Sequence, residues 1–460
     1  MDEGFDLGKL LGERAGEGHK LQGRMLNPAL PRMLHAIGFD RTYTRAEGAY
    51  MYDADGLDYL DFLAGFGVFG VGRNHPVVRG ALHQVLDGEL ADMVQFDSPL
   101  LAGLLAEKLL ARAPHLDRVY FGNSGTEAVE AALKFARYAT GRTRILYWDH
   151  AFHGLTAGSL SVNGAAEFRD GFDPLLPDTR LPFGDLEALE AELRRGGVAA
   201  LLVESIQGKG VHVPPAGFLS AAHALLKEHG ALLICDEVQT GIGRTGRFFA
   251  YEYEDVQPDI VTLAKALSGG FVPVGATLAK DWVFEKVYSS MDRVLAHDST
   301  FGSNAMAMAA GLATLKVIED EQLIENAERI GTLLMAELTS RIEKYEMLAD
   351  VRGRGLMIGF EFGKPRSLKL KAGWNTLQAA RKGLFAQMVV VPLFQRHRIL
   401  TQVSGDHMDV IKLLPPLTIG ESEVERFLAA FDDVMRDAHR GTGLMWDFGR
   451  TLVTQAVRRG

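Results

Sequence analysis

Short, unbroken apolar runs separated by stretches of helical periodicity dominate the middle of this chain. Val198-Ala-Ala-Leu-Leu-Val203, Ala231-Leu-Leu-Ile-Cys235, Asp259-Ile-Val-Thr-Leu263 and Val274-Gly-Ala-Thr-Leu278 have the length of strands and no polar alternation. Arg118-Val-Tyr-Phe-Gly122 and Arg144-Ile-Leu-Tyr-Trp148 read the same way, while Leu101–Leu110 and Thr126–Ala136 carry helical spacing. Continuous apolar strands alternating with helices predict an α/β, doubly wound, mostly parallel sheet covered on both faces, over residues 97–304. Ahead of it, residues 1–45 read as an arm with short helices. Residues 46–96 read as the N-terminal part of a smaller domain, opening with a hairpin of Tyr50–Asp53 and Asp58–Phe62. Residues 305–460 start with a long helix, carry a strand at Leu356–Glu361 and end in an amphipathic helix over Trp446–Val457, which predicts a smaller α+β domain.

A chain of 460 residues exceeds what one hydrophobic core holds, so more than one domain is expected. Its 47% hydrophobic and 23% charged residues are ordinary for a globular enzyme, and a net charge of −10 argues against broad affinity for nucleic acid. Cys235 is the sole cysteine, which excludes an intrachain disulfide and a structural zinc cluster and fits a reducing cytoplasm. The N-terminus lacks the charged start and apolar core of a signal peptide. The most apolar windows, such as Phe385–Phe394, fall far short of the roughly 20 residues that span a bilayer. The histidines show no paired ligand spacing, so no metal is expected.

The informative polar residues sit at the ends of the apolar runs, where ligands of open α/β sheets bind. Ser124-Gly125-Thr126 follows the first strand and Phe152-His153-Gly154 the second, and Glu204, Asp236 and Lys265 end the next three. A lysine ending an apolar run stands where its ammonium is costly to desolvate, and the neutral amine is a nucleophile. Asp236 ends another run 29 residues earlier. An amine and a carboxylate at neighbouring strand ends are what pyridoxal phosphate requires, one to carry its aldehyde and one to keep its pyridine nitrogen protonated. Asn123-Ser-Gly-Thr-Glu127 leads into a helix whose free N–H groups suit a phosphate, although a plain N-cap with a capping-box acid reads from the same residues. Phe152 is either core packing or a ring stacked on the cofactor. Gly241-Ile-Gly-Arg-Thr-Gly246 fits a dinucleotide-binding pattern, but Arg247-Phe-Phe-Ala-Tyr-Glu-Tyr-Glu254 and Pro258 follow where a helix is needed.

Asn123-Ser-Gly-Thr-Glu-Ala128, Phe152-His-Gly154, Val203-Glu-Ser-Ile-Gln-Gly208, Asp236-Glu-Val-Gln-Thr-Gly-Ile-Gly-Arg-Thr-Gly246, Thr262-Leu-Ala-Lys-Ala-Leu-Ser-Gly-Gly270 and Ser299-Thr-Phe-Gly-Ser-Asn-Ala305 occur in one order. In that order and spacing the chain resembles class III pyridoxal-phosphate aminotransferases, the family of ornithine, acetylornithine, 4-aminobutyrate and putrescine aminotransferases. The resemblance runs from about residue 45 to 430. It implies the fold-type I architecture and a homodimer, or a dimer of dimers, with active sites at the subunit interface. It makes Lys265 and Asp236 catalytic, Lys265 holding the cofactor through a Schiff base and Asp236 meeting the pyridine nitrogen. Ser124, His153 and Glu204 also stand around the cofactor. Gln239 lies near the ring hydroxyl, Phe152 covers the ring, and Gly125 and Thr126 hold the phosphate, which Thr300 reaches from the other subunit.

Departures from the family pattern bear on the substrate. The carboxylate-clamping arginine that follows the His-Gly in ornithine and acetylornithine aminotransferases is Leu155 here. A second family arginine, three residues before Pro415-Pro416, is Lys412, which lacks the bidentate fork. Glu204 matches the glutamate that pairs with that second arginine, so a Glu204–Lys412 pair is expected. Phe66 replaces a tyrosine of the family's substrate pocket, and Val68 and Phe69 add apolar surface there unless they simply fill core. These departures point to an amine or diamine without an α-carboxylate, as in the putrescine branch, with 2-oxoglutarate or pyruvate as acceptor. Three other readings stay open: an ornithine/acetylornithine- or 4-aminobutyrate-type ω-aminotransferase, an aminomutase or racemase on the same cofactor, and a non-catalytic cofactor-binding protein.

Overall fold

The chain lays down strands β1 (Tyr43–Glu47), β2 (Tyr50–Asp53) and β3 (Asp58–Asp61). Then come the seven strands that carry the site: β4 (Arg118–Gly122), β5 (Arg144–Trp148), β6 (Thr179–Leu181), β7 (Val198–Glu204), β8 (Leu232–Asp236), β9 (Ile260–Leu263) and β10 (Gly275–Ala279). In this computed structural model residues 5–92, 98–405 and 407–440 are described. The seven strands form one sheet in the order β4-β10-β9-β8-β7-β5-β6. The pairs from β9 through β6 are parallel, as the unbroken apolar runs predict, and β7, β8, β9 and β10 are buried along their whole length. β10 instead runs antiparallel to both of its neighbours. Only residues 264–274 separate it from β9, with one 3₁₀ turn at Lys265–Ser268. That is too little chain for the crossover a parallel neighbour needs, so the chain doubles back just past Lys265. β6 escapes the sequence reading because only Leu181 of its three residues is buried.

Pleating sends alternate side chains of the sheet into two layers. Ile145, Tyr147, Leu202, Ile234 and Ile260 pack with Val129, Ala132, Leu133 and Phe135 of the helix Gly125–Thr140. Leu146, Trp148, Leu201, Val203, Leu233 and Val261 belong to the opposite layer, with Phe218, Leu219, Ala222 and Leu226 of Phe218–Glu228. Each such buried aliphatic or aromatic side chain contributes about 1.5–3 kcal/mol, which fixes strand register and with it the height of every strand end.

The rest of the chain builds two smaller sheets. β11 (Leu348–Arg354), β12 (Met357–Phe362), β14 (Gln402–Val403) and β15 (Val410–Leu413) form an antiparallel sheet in the order β11-β12-β15-β14. β13 (Ile399–Leu400) joins β3 in parallel, tying the C-terminal part to the N-terminal hairpin. The strand expected at Leu356–Glu361 is β12, and the long helix expected after 305 is two helices, Ala305–Asp320 and Leu323–Lys344, separated at the left-handed Gln322 (φ 52°). The arm holds the helices Leu7–Glu13 and Leu30–Ile37, and β1 starts inside it. The helix expected over Trp446–Val457 lies outside the described residues. No described helix is long and apolar enough to cross a membrane.

Candidate active site

Because β4 and β9 both oppose β10, the C-terminal ends of β4, β5, β7, β8 and β9 share one sheet edge. Register puts Glu204 beside Asp236 and Asp236 beside Thr262 on three adjacent strands. Above this edge opens a cavity of about 980 Å³, lined among others by Ser124, Gly125, Thr126, Phe152, His153, Glu204, Asp236, Gln239 and Lys265. Residues separated by up to 347 positions in the chain, from Gly65 to Lys412, thus meet at one place.

Lys265 is the first residue after β9 to leave the sheet direction, and it does so at φ 46°, a left-handed conformation uncommon for a residue with a side chain. Strain of that kind persists only where surrounding packing enforces it, and here it aims the amine back over the sheet edge. Burial pushes the Lys265 ammonium down, while Asp236 and Glu204 pull the other way. Asp236 is buried and held from three sides. Its Oδ1 accepts from Val238 N at 3.0 Å and Thr262 Oγ1 at 3.2 Å, and its Oδ2 lies 2.7 Å from His153 Nδ1. An ionised carboxylate only accepts, so the proton of that last bond belongs to His153 Nδ1. His153 is fixed in turn by its own N–H, which donates to Asn163 Oδ1 at 2.7 Å, and its Nε2 is buried without a partner.

At the end of β4, Ser124 caps the helix Gly125–Thr140, its Oγ accepting from Glu127 N at 3.3 Å, while Glu127 accepts from Asn123 N. Ser124 thus makes its half of the expected capping box, while Glu127 reaches one residue further back to Asn123 and not to Ser124 N–H, and the helix N-terminus faces the cavity with the Thr126 hydroxyl beside it. Thr126 Oγ1 lies 2.8 Å from Thr156 Oγ1 and 2.6 Å from Ser159 Oγ. Gly154 makes this closeness possible. It sits at φ 126°, and a Cβ there would come within 2.4 Å of Thr126 Oγ1.

The expected Glu204–Lys412 ion pair does not form directly. Glu204 accepts from Phe152 N at 3.0 Å and Gly208 N at 2.7 Å, and burial pushes its carboxyl up. Lys412, on β15, donates to Gly208 O at 2.6 Å and Gln239 Oε1 at 3.1 Å. Gly208 thus stands between them, its N–H donating to Glu204 and its carbonyl accepting from Lys412. Burial, with Lys265 nearby, pushes Lys412 down to about 7. Gln239 completes the chain by donating Nε2 to Phe66 O at 3.0 Å.

Phe66 and Val68 line the cavity, but Phe69, Leu155 and Thr300 do not. Gly65 and Phe66 both take positive φ, which breaks strand-like alternation and turns Phe69 under the Arg73 guanidinium, 3.9 Å from its ring centroid. Leu155 leaves the wall because Gly154 turns the chain outward, and it is 57% exposed. Thr300 is exposed on the loop that Asn123 Nδ2 anchors through Ser299 Oγ. Several lining residues escaped the sequence reading, four of them with side chains that can pair or stack: Glu167, Phe168, Lys209 and Gln402. Lys209, between two glycines just after β7, carried a weak signal; the other three carried none. The Gly241–Gly246 segment binds no helix start. It buries Arg244, which donates to Leu356 O and Pro415 O and so joins the large sheet's loops to the C-terminal ones.

Residues 35–435 match the family model described as aminotransferase class-III. The aminotransferase PigE of Serratia sp. is 38% identical over 445 residues, 89% of this chain and 52% of that protein, so the chain spans about half of PigE's length. The acetylornithine aminotransferase of Methanopyrus kandleri is 42% identical over 403 residues, covering 86% of this chain and 95% of that protein. The ornithine aminotransferase structure from Toxoplasma gondii, with partial occupancy of PLP at its active site, superposes with a TM-score of 0.80 at 29% identity, over 94% of this chain and 98% of that one. Sequence and fold agree over most of the chain's length: it belongs to the class-III aminotransferases, on the fold-type I architecture of pyridoxal-phosphate-dependent transferases.

Proposed function

We propose that this chain is a pyridoxal-phosphate-dependent aminotransferase that moves an amino group from an amine or diamine lacking an α-carboxylate to a keto acid. The observation that carries the reaction class is the convergence of Lys265 and Asp236 on one cavity, across two adjacent strand ends. The cavity fits the cofactor. Gly125 and Thr126 at a 16-residue helix's N-terminus suit its phosphate, and added Cβ atoms at Gly125 and Gly154 would meet Val238 Cγ1 at 2.9 Å and Thr126 Oγ1 at 2.4 Å. Asp236 suits the pyridine nitrogen, Gln239 the ring hydroxyl, and Phe152 the ring face. When bound, pyridoxal phosphate supplies an electrophilic carbon and a ring that accepts the electrons released at the substrate's Cα. Asp236, its charge steadied by His153, Thr262 and Val238, keeps a proton at the ring nitrogen. Lys265 Nζ, eased toward its neutral form by burial, would hold the cofactor through a covalent bond and, once the donor's amine has displaced it and freed it, would take and return the proton at Cα. Phe152, Phe66 and Val68 give the same cavity apolar wall.

The donor preference rests on what the wall lacks. No arginine lines the cavity among the described residues, and Lys412 is already committed to Gly208 O and Gln239 Oε1. A donor's α-carboxylate would find no bidentate fork. A second reading, an acetylornithine- or ornithine-type enzyme, is favoured by the names of the relatives at 42% and 29% identity. The same proposal takes the protein as a homodimer in which Thr300 completes the partner's phosphate site.

An amine panel presented to the cofactor-loaded protein with no acceptor separates these readings. Loss of the cofactor's visible absorbance with putrescine and alkyl amines, faster than with ornithine, is expected; ornithine equal or faster sinks the donor preference. Product formed from one amino compound without any keto acid would favour the mutase or racemase. K265A is expected to lose both the visible band and turnover.

A further inference from the structure

The proposed reaction leaves one requirement unmet. Its keto acid brings a carboxylate into a cavity where no arginine stands among the described residues. Three lysines line that cavity, Lys209, Lys265 and Lys412. Lys265 serves the cofactor, and Lys412 directs two of its three donors at a carbonyl and an amide oxygen while burial weakens its hold on a positive charge. Lys209 remains. Its ammonium is paired with the Glu167 carboxylate and lies 5.0 Å from the centroid of the Phe168 ring.

The two partners are unequally placed. The Lys209 side chain is 10% exposed and that of Glu167 35%. Glu167 belongs to a single helical turn, Ala166–Arg169, whose residues are all at least partly exposed, so its carboxylate can rotate into water. Lys209 has no such escape, and leaving it unpaired would strand a buried charge. The pair is therefore a fixed cation under a movable carboxylate. Replacing that carboxylate by another of the same charge keeps Lys209 compensated throughout. Phe168 connects the pair to the reacting centre, its ring meeting Phe152 edge-on at 5.2 Å. A further donor stands on another wall of the cavity: Gln402, opposite Lys412 in the β14–β15 pairing, has a buried Nε2 with no hydrogen-bond partner.

We propose that Lys209 is the carboxylate anchor for the keto acid, that Glu167 is its resident stand-in, displaced when the 2-oxo acid enters, and that the Gln402 amide donates to the same ligand. This rests on the aminotransferase reading above, and it explains how a cavity without arginine accepts a carboxylate in one half of the reaction and a simple amine in the other.

Glutarate, a dicarboxylate without the reactive carbonyl, titrated calorimetrically into the cofactor-loaded protein, reads the subsite without turnover. K209M is expected to weaken glutarate about tenfold or more, from loss of a charge-assisted bond, and E167Q to tighten it about threefold, from loss of the competing carboxylate. Opposite signs are the signature, since a merely structural pair would lose affinity in both variants. No glutarate binding by the wild type, no change in K209M, or weakening in E167Q overturns the proposal. Turnover of amine with keto acid in a protein whose glutarate affinity ignores Lys209 removes the anchor and leaves the reaction standing. Lys209-dependent glutarate binding in a protein without that turnover does the reverse.

Discussion

Lys412 sits in an environment at odds with its charge. A lysine buried against a carbonyl and an amide oxygen, with Lys265 nearby and no carboxylate bonded to it, is held down to about 7. In the unfolded chain the same amine stays protonated up to its ordinary value near 10. Between about pH 7 and about pH 10 unfolding therefore takes up a proton at this position, and the native state gains stability as pH rises. Below that window the native protein carries a buried ammonium, and the gain is absent. K412M removes the titration and keeps the volume. The thermal midpoint of the wild type, relative to that of K412M, is expected to move upward as pH is raised through the window. A difference that stays constant with pH would show that Lys412 is not desolvated as the structure has it. Lys265 titrates in the same cavity, so the measurement belongs on the cofactor-loaded protein, where that amine is bonded.

At the scale of elements, the cofactor cradle proposed above would depend on two turns that approach each other: the cap of Gly125–Thr140 and the bend at Gly154 after β5. G154A demands both a positive-φ backbone from alanine and a Cβ 2.4 Å from Thr126 Oγ1. Strain of about 1–3 kcal/mol, relieved by moving one turn off the other, corresponds to roughly a tenfold or greater loss of cofactor affinity. Absorbance titration of the apo protein with pyridoxal phosphate measures it, with unchanged far-ultraviolet circular dichroism as the control for folding. Unaltered affinity would mean that the two turns do not act together. These turns were legible in the sequence because they end apolar runs, and a run that ends in a polar residue announces both the strand and the edge. The direction of β10 was not legible, since it depends on the shortness of the 264–274 connection. Nor was the role of Phe69, where two positive φ angles at Gly65 and Phe66 exchange it for Val68. Glu167, Phe168 and Gln402 were illegible for a different reason. They reach the cavity from a helical turn and a two-residue strand whose positions are set by packing between distant parts of the chain.

The whole molecule presents a surface that a lone subunit explains poorly. Phe66, Leu155, Phe172, Met291, Leu295 and Phe301 are all more than half exposed, and Thr300, beside Phe301, lies outside this chain's own cavity wall. Apolar side chains exposed in such number are what a second copy would cover. In the homodimer proposed above, Thr300 of each subunit then serves the other subunit's phosphate site, and every site depends on two chains. This arrangement has a consequence that point mutation alone cannot imitate. K265A removes a site's amine from its own chain, while T300A removes a phosphate contact from the opposite one. When the two inactive or weakened homodimers are dissociated and recombined at equal concentrations, half of the dimers are mixed. Each mixed dimer holds one site with both defects and one with neither. Activity at limiting cofactor is expected to return to about one quarter of the wild-type value, as random pairing in a twofold-symmetric dimer dictates. If Thr300 acted within its own chain, every site of the mixed dimer would carry one defect and mixing would restore nothing.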